Sequence, residues 1–143
     1  MVDAFIHLRA SLGASQSIVY CSSRKVATRV AEEINRRKVH ALFVENEIAS
    51  GDLCAFCAGE ACVLVTTDTL DRKSCTGWIV ELVVNFELPL RKENYLQRVG
   101  RNAQFNVTTT AVSLVPRESA HSLSALEEFY TTKIDTLPEA LRL

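Results

Sequence analysis

Glu93–Phe105, reading ENYLQRVGRNAQF, is the stretch that says most about this chain. It sets Arg98 and Arg101 three residues apart, so on a helix the two guanidinium groups share a face. Tyr95 and Val99 lie four apart and offer another face that a core can hold. Paired arginines beside a sheet are a common device for gripping phosphate, because the planar fork matches phosphate oxygens.

Working outward, the chain alternates short apolar strands with helical patterns. SIVYC (Ser17–Cys21), His40–Val44, Cys62–Thr67, Glu81–Phe86 and Thr109–Val115 read as strands. Met1–Leu12 reads as a short amphipathic helix ended by Gly13. Ser22 or Ser23 can cap a second helix, in which Val26, Val30 and Ile34 recur with Ala27 and Ala31. Ala49–Phe56 is a weak short helix and Lys92–Asn102 carries the arginines. Glu118–Thr131 is the last helix, with Leu123, Leu126 and Tyr130 on its inner face. The tail TLPEALRL is apolar enough to pack back or to contact a partner.

Continuous apolar strands alternating with helices imply an α/β architecture, a mostly parallel sheet of five to six strands covered on both faces. Ligands of such sheets bind beyond the carboxyl ends of the strands. The residues just past those ends are Cys21-Ser22-Ser23-Arg24, Val44-Glu45-Asn46, Thr67-Asp68 and Glu87-Leu88-Pro89. They are expected to line one edge.

Length and composition set bounds on what such an edge can serve. A chain of 143 residues suits one domain over residues 1–143, and 48% hydrophobic with 23% charged residues is ordinary for a globular protein. A formal net charge of −1 implies weak electrostatic affinity for RNA. No apolar run approaches the ~20 residues that span a bilayer. Met1–Leu12 carries Asp3 and lacks the features of a signal peptide, so an intracellular chain or an excised fragment, cytoplasmic or nuclear, is expected. The five cysteines, an odd number, are expected to be reduced thiols. Cys54 and Cys57, with Cys62 and Cys75, do not match the spacing of a zinc ribbon or finger, and no metal site is expected.

SIVYCSSRKV, CVLVTTDTL, LVVNFELP and ENYLQRVGRNAQF, in this order and with the EEFY…KIDTLPEAL tail, resemble one known family. It is the C-terminal RecA-like domain of DEAD-box ATP-dependent RNA helicases, closest to the translation initiation factor 4A type. The resemblance implies a RecA-like three-layer sandwich. It also implies RNA-facing roles for Ser22, Arg24, Thr66, Thr67 and Asp68, which match the family's strand-and-turn and Thr-Thr-Asp elements. On the nucleotide side, Arg72 matches an Ala-Arg-Gly-Ile-Asp element. Arg98 and Arg101 match the arginine motif that reaches ATP across a domain cleft.

The chain departs from that pattern at several points. Gln97 replaces a histidine, and Gln104 stands where the family has its arginine finger, a group worth roughly 10³–10⁵ in rate. Cys75 replaces the ribose-side aspartate, and a neutral thiol is a poor acceptor for ribose hydroxyls. Glu45 stands where the family brings glycine backbone close to RNA phosphate, and its carboxylate repels phosphate. None of Gly13, Gly51, Gly59, Gly77 and Gly100 opens a phosphate loop ending in Lys-Ser/Thr, and there is no Asp-Glu-Ala-Asp box.

By itself, then, the chain is not expected to bind a cofactor or to hydrolyse ATP; ATP with magnesium belongs to a complete and active parent. Three functions stay open. The chain is the ATPase-deficient half of a helicase-like protein, acting as an RNA or protein clamp or docking module. Or it is half of an active ATP-dependent RNA helicase that needs an N-terminal RecA-like domain in cis. Or it is a stand-alone interaction scaffold, with Trp78 as a candidate partner anchor. For Arg98 and Arg101 a second role is also open, as salt bridges to acids such as Asp68 or Glu93.

Overall fold

A computed structural model describes residues 1–45, 56, 62–69, 80–99 and 109–141. Within it, β1 (Ser17–Tyr20), β2 (Ala41–Phe43), β3 (Val63–Thr66), β4 (Leu82–Asn85) and β5 (Thr110–Ser113) form one sheet in the order β2-β3-β1-β4-β5. Every pair is parallel. The strands form where the sequence is richest in β-branched and apolar residues, and β1, β3 and β4 are buried along their whole length. Each of their buried valines and leucines contributes on the order of 1.5–3 kcal/mol.

Helix α1 (Val2–Leu12) buries Phe5 and Leu8 and stops at Gly13. There φ is +64°, and the Gly13 and Ala14 N–H groups donate back to the Ala10 and Arg9 carbonyls. Helix α2 (Arg24–Arg36) buries Ala27, Val30, Ala31 and Ile34, the stripe expected from the 3.6-residue period. Of the two candidate caps it is Ser23 that serves, accepting from the Val26 N–H at 3.3 Å. At the other end, Arg37 reaches Asp3 at 2.6 Å and Glu33 at 2.9 Å, which ties the end of α2 to α1.

Alternation along the strands sends the core to both faces of the sheet. Val19, Val63, Val65, Leu82 and Val84 point toward α1 and α2. Ile18, Tyr20, Leu64 and Val83 point the other way, where Val44, Phe56 and Val80 join them. Helix α3 (Lys92–Val99) leans on helix α4 (Ala120–Tyr130) through Tyr95 and Tyr130, whose ring centroids lie 5.9 Å apart. The Tyr130 hydroxyl also donates to the Lys92 carbonyl at 2.5 Å. Beyond α4 the tail folds back, and Leu137 and Leu141 pack on the core under α1. That is the first of the two roles open to it from sequence.

The observed strands lie inside the expected ones, each shortened by a residue or two at the ends. The expected helix over 92–102 is described only as far as Val99, and of the expected helix over 49–56 only the buried Phe56 is described.

Candidate functional site at the carboxyl edge of the sheet

Parallel register brings the chemistry together. Tyr20 is level with Thr66 on one side and with Asn85 on the other, and Asn85 is level with Ser113. The segments that leave these strands therefore emerge along one edge, as the alternating pattern implied.

Arg98 is at the centre of that edge. It projects from α3 and is 1% exposed, the most buried residue of its helix. Its Nε donates to Asp68 Oδ1 at 2.6 Å and its Nη2 to Asp68 Oδ2 at 2.7 Å, a bidentate fork. Its Nη1 donates to Asn85 Oδ1 at 3.2 Å and to the Glu87 carbonyl at 2.9 Å. The guanidinium carbon lies 5.1 Å from the centre of the Tyr20 ring. Asn85 passes the chain on, its Nδ2 donating to Ser113 Oγ at 3.0 Å. One guanidinium thus ties the ends of β1, β3 and β4 together and reaches β5 through Asn85. The salt bridge to Asp68 is the alternative role that stood open for Arg98; with the bonds to Asn85 and Glu87 it brings four of the guanidinium's five N–H donors to internal partners.

The RNA-facing candidates sit on the same edge. Thr66 is fully buried and its hydroxyl donates inward to the Val44 carbonyl at 2.6 Å. The Thr67 hydroxyl lies 2.7 Å from that of Thr69, closing a local turn. The Ser22 N–H donates to Glu87 Oε2 at 2.7 Å. Arg24 is 78% exposed and pairs with Glu45 at 3.7 Å, so the carboxylate expected to oppose phosphate also draws on a nearby cation. Burial pushes the Cys21 thiol up to about 12, the Glu87 carboxylate adds to the rise, and Arg98 opposes it. Cys21 and Cys62 are free thiols; Cys54, Cys57 and Cys75 lie outside the described residues.

The structure therefore brings Ser22, Arg24, Thr66, Thr67, Asp68 and Arg98 to one edge. Arg72, Cys75, Trp78, Arg101 and Gln104 lie outside the described residues. Sequence reasoning placed Glu87 at this edge without a role and missed Tyr20 and Asn85. Asn85 had left a signal, since an amide at the end of a strand buried throughout needs a partner there.

A five-stranded, all-parallel sheet with helices around it and an arginine helix at its carboxyl edge defines an α/β domain of the RecA-like class. No protein-family model matches the chain. It is 31% identical to eukaryotic initiation factor 4A of Caenorhabditis elegans, over 97% of this chain and 35% of that protein. The same identity holds with ATP-dependent RNA helicase eIF4A of Candida glabrata, over 95% of this chain and 35% of that protein. Among solved structures, the E. coli DEAD-box protein SrmB, bound to regulator of ribonuclease activity A, superposes with a TM-score of 0.80 at 25% identity. That match covers 99% of this chain and 85% of the other. The C-terminal domain of S. cerevisiae Dbp5, bound to Gle1 and IP6, gives a TM-score of 0.71 at 23% identity, over 92% of this chain and 80% of that one.

The chain is a homologue of the C-terminal portion of DEAD-box RNA helicases of the initiation factor 4A type. It spans about a third of the length of the curated relatives it matches. Among the described residues, no helix is long and apolar enough to cross a membrane.

Proposed function

We propose that the chain is the second RecA-like domain of a DEAD-box helicase-like protein without effective ATPase power, serving as a clamp or docking module. Its partners are then an N-terminal RecA-like domain in cis or a separate protein, with RNA held weakly. The observation that carries this reading is the burial of Arg98. Of the two arginines left in the motif, one has its guanidinium committed to Asp68, Asn85 and the Glu87 carbonyl. With Gln104 at the finger position, only Arg101 of that motif remains to offer charge to a nucleotide.

The residues of this chain do not by themselves fit ATP and magnesium. The sequence has no phosphate loop, and the central arginine of the edge faces inward. The weak-RNA part rests on the self-engaged edge, where Thr66 bonds inward, the Ser22 N–H is taken by Glu87, and Glu45 stands beside Arg24. The docking part is supported by structural neighbours solved with protein partners, SrmB with RraA and Dbp5 with Gle1.

The test is ATP turnover of a parent protein carrying an upstream RecA-like domain, measured with and without single-stranded RNA. The expected result is turnover near background in both. Robust RNA-stimulated hydrolysis overturns the proposal.

A further inference from the structure

The outer edge of the sheet offers a surface that the nucleotide and RNA reading does not use. Among the described residues, β5 is the outermost strand and pairs only with β4. Thr110 and Leu114 donate their N–H groups to the Glu81 and Asn85 carbonyls, so even-numbered residues turn their backbone toward β4. Ala111 and Ser113 therefore turn theirs outward, and among the described residues no backbone partner meets them. Thr110 and Ala111 are exposed.

A cavity of about 380 Å³ lies along this edge, lined by Ala111, Val112 and Ser113 on one side and by Ile134, Asp135 and Leu137 of the tail on the other. Successive side chains of a strand point to opposite faces of the sheet. A cavity that touches three consecutive residues must run along the strand's rim, against its backbone. The space is thus a slot between an open strand edge and the returning tail, at the small end of the range of ligand cavities.

We infer that this slot docks an extended peptide, which adds a strand to β5 and sets a basic residue against Asp135. The open N–H and C=O groups at Ala111 and Ser113 call for main-chain pairing, which only an extended segment supplies in register. The apolar lining from Val112, Ile134 and Leu137 takes alternate side chains. Asp135 is the one ionisable residue of the lining among the described residues, which selects a cation. A second copy of the chain fits less well, because the strand it would bring, TAVS, holds no cation to offer Asp135. The inference rests on the docking half of the proposed function and names the class of partner.

The test needs neither nucleotide nor RNA, so its failure is separate from that of the ATPase experiment. The probe is a fluorescein-labelled eight-residue peptide of alternating valine and lysine, followed by anisotropy, with a valine–glutamate peptide as its counterpart. Saturable binding of the lysine peptide and much weaker binding of the glutamate peptide are expected. Ala111→Pro removes only an outward N–H, a position where an edge strand tolerates proline, and is expected to weaken binding at least about tenfold. Asp135→Lys is expected to abolish the preference for lysine over glutamate.

On the unsubstituted protein, saturating peptide is expected to slow amide exchange at Ala111 and Ser113, which settles the matter even if the proline variant fails to fold. Unchanged exchange at both residues overturns the inference, as does an Ala111→Pro variant that folds and binds equally well. Dimerisation without peptide, lost in Ala111→Pro, overturns it in favour of a second copy.

Discussion

Replacing Arg98 with methionine should be among the most costly single changes at the carboxyl edge. Methionine keeps much of the stem's volume over Tyr20 but removes every donor of the guanidinium. That leaves Asn85 Oδ1, the Glu87 carbonyl and the Asp68 carboxylate without the partner that holds them now. Removing one member of a buried pair costs about 3–5 kcal/mol when both are dry. Asp68 keeps 27% side-chain exposure, so water can recover part of its solvation and the lower end, about 3 kcal/mol, applies. Loss of the contact over Tyr20 adds roughly 0.5–1 kcal/mol. A total near 3–4 kcal/mol is a large share of the 5–15 kcal/mol that holds a typical domain, and corresponds to a fall in Tm of roughly 10 °C.

Urea unfolding followed by far-ultraviolet circular dichroism measures the change. A double-mutant cycle with Asp68→Asn isolates the pair, with a coupling of about 1–3 kcal/mol expected. Arg98→Lys should fall between, because an ammonium keeps the charge but cannot fork onto Asp68 while also reaching Asn85 and Glu87. A methionine variant within about 0.5 kcal/mol of the parent, or a cycle without coupling, would refute the reasoning.

Gly13→Ala forces a side chain into the left-handed region at φ +64°, although no atom stands in its way, and should cost about 1 kcal/mol in the same urea titration. The Cys21 thiol, raised from 9.0 to about 12, should resist iodoacetamide at pH 9 in the folded protein and react in urea, as read by mass spectrometry. Because the folded thiol keeps a proton that the unfolded one gives up, its contribution to stability is full below pH 9 and is lost as pH rises toward 12.

The fold was legible because its signals are local and redundant. Each strand is a short apolar run, each helix carries its own stripe, and Ser23 and Gly13 punctuate them in the expected places. The ends were less legible, since a strand stops where its neighbour stops. β2 ends at Phe43 and β5 at Ser113, limits of pairing rather than of composition. Ser22, Arg24, Thr66, Thr67 and Asp68 were legible as one edge because the parallel register follows from the alternation of strands and helices. What each does there was not legible. Thr66 looks from sequence like a phosphate ligand, and its hydroxyl is instead bonded to the Val44 carbonyl, a partner 22 residues earlier in the chain.

Arg98 shows why the gap is physical. A helical face that reads Arg98 with Arg101 suggests two solvent-facing cations, while Tyr95 and Val99 suggest the buried side. In the structure Arg98 is buried and Tyr95 and Val99 are only half so. The reversal follows from groups far away in sequence. Asp68 provides a carboxylate, Asn85 an amide oxygen, and Tyr20 a ring face, all at the level where α3 crosses the strand ends. Burying a guanidinium is costly alone and tolerable only when its donors are met, so the burial could not be inferred before these three partners were known to converge. The same convergence limits what the edge can still do. A charge held by four internal hydrogen bonds is a poor ligand for an incoming phosphate, because a two-pronged grip on phosphate must break at least one bond already made. Arg98 therefore acts first on the shape of the edge, and any partner that gathers there meets a surface whose strand ends this residue has already fixed.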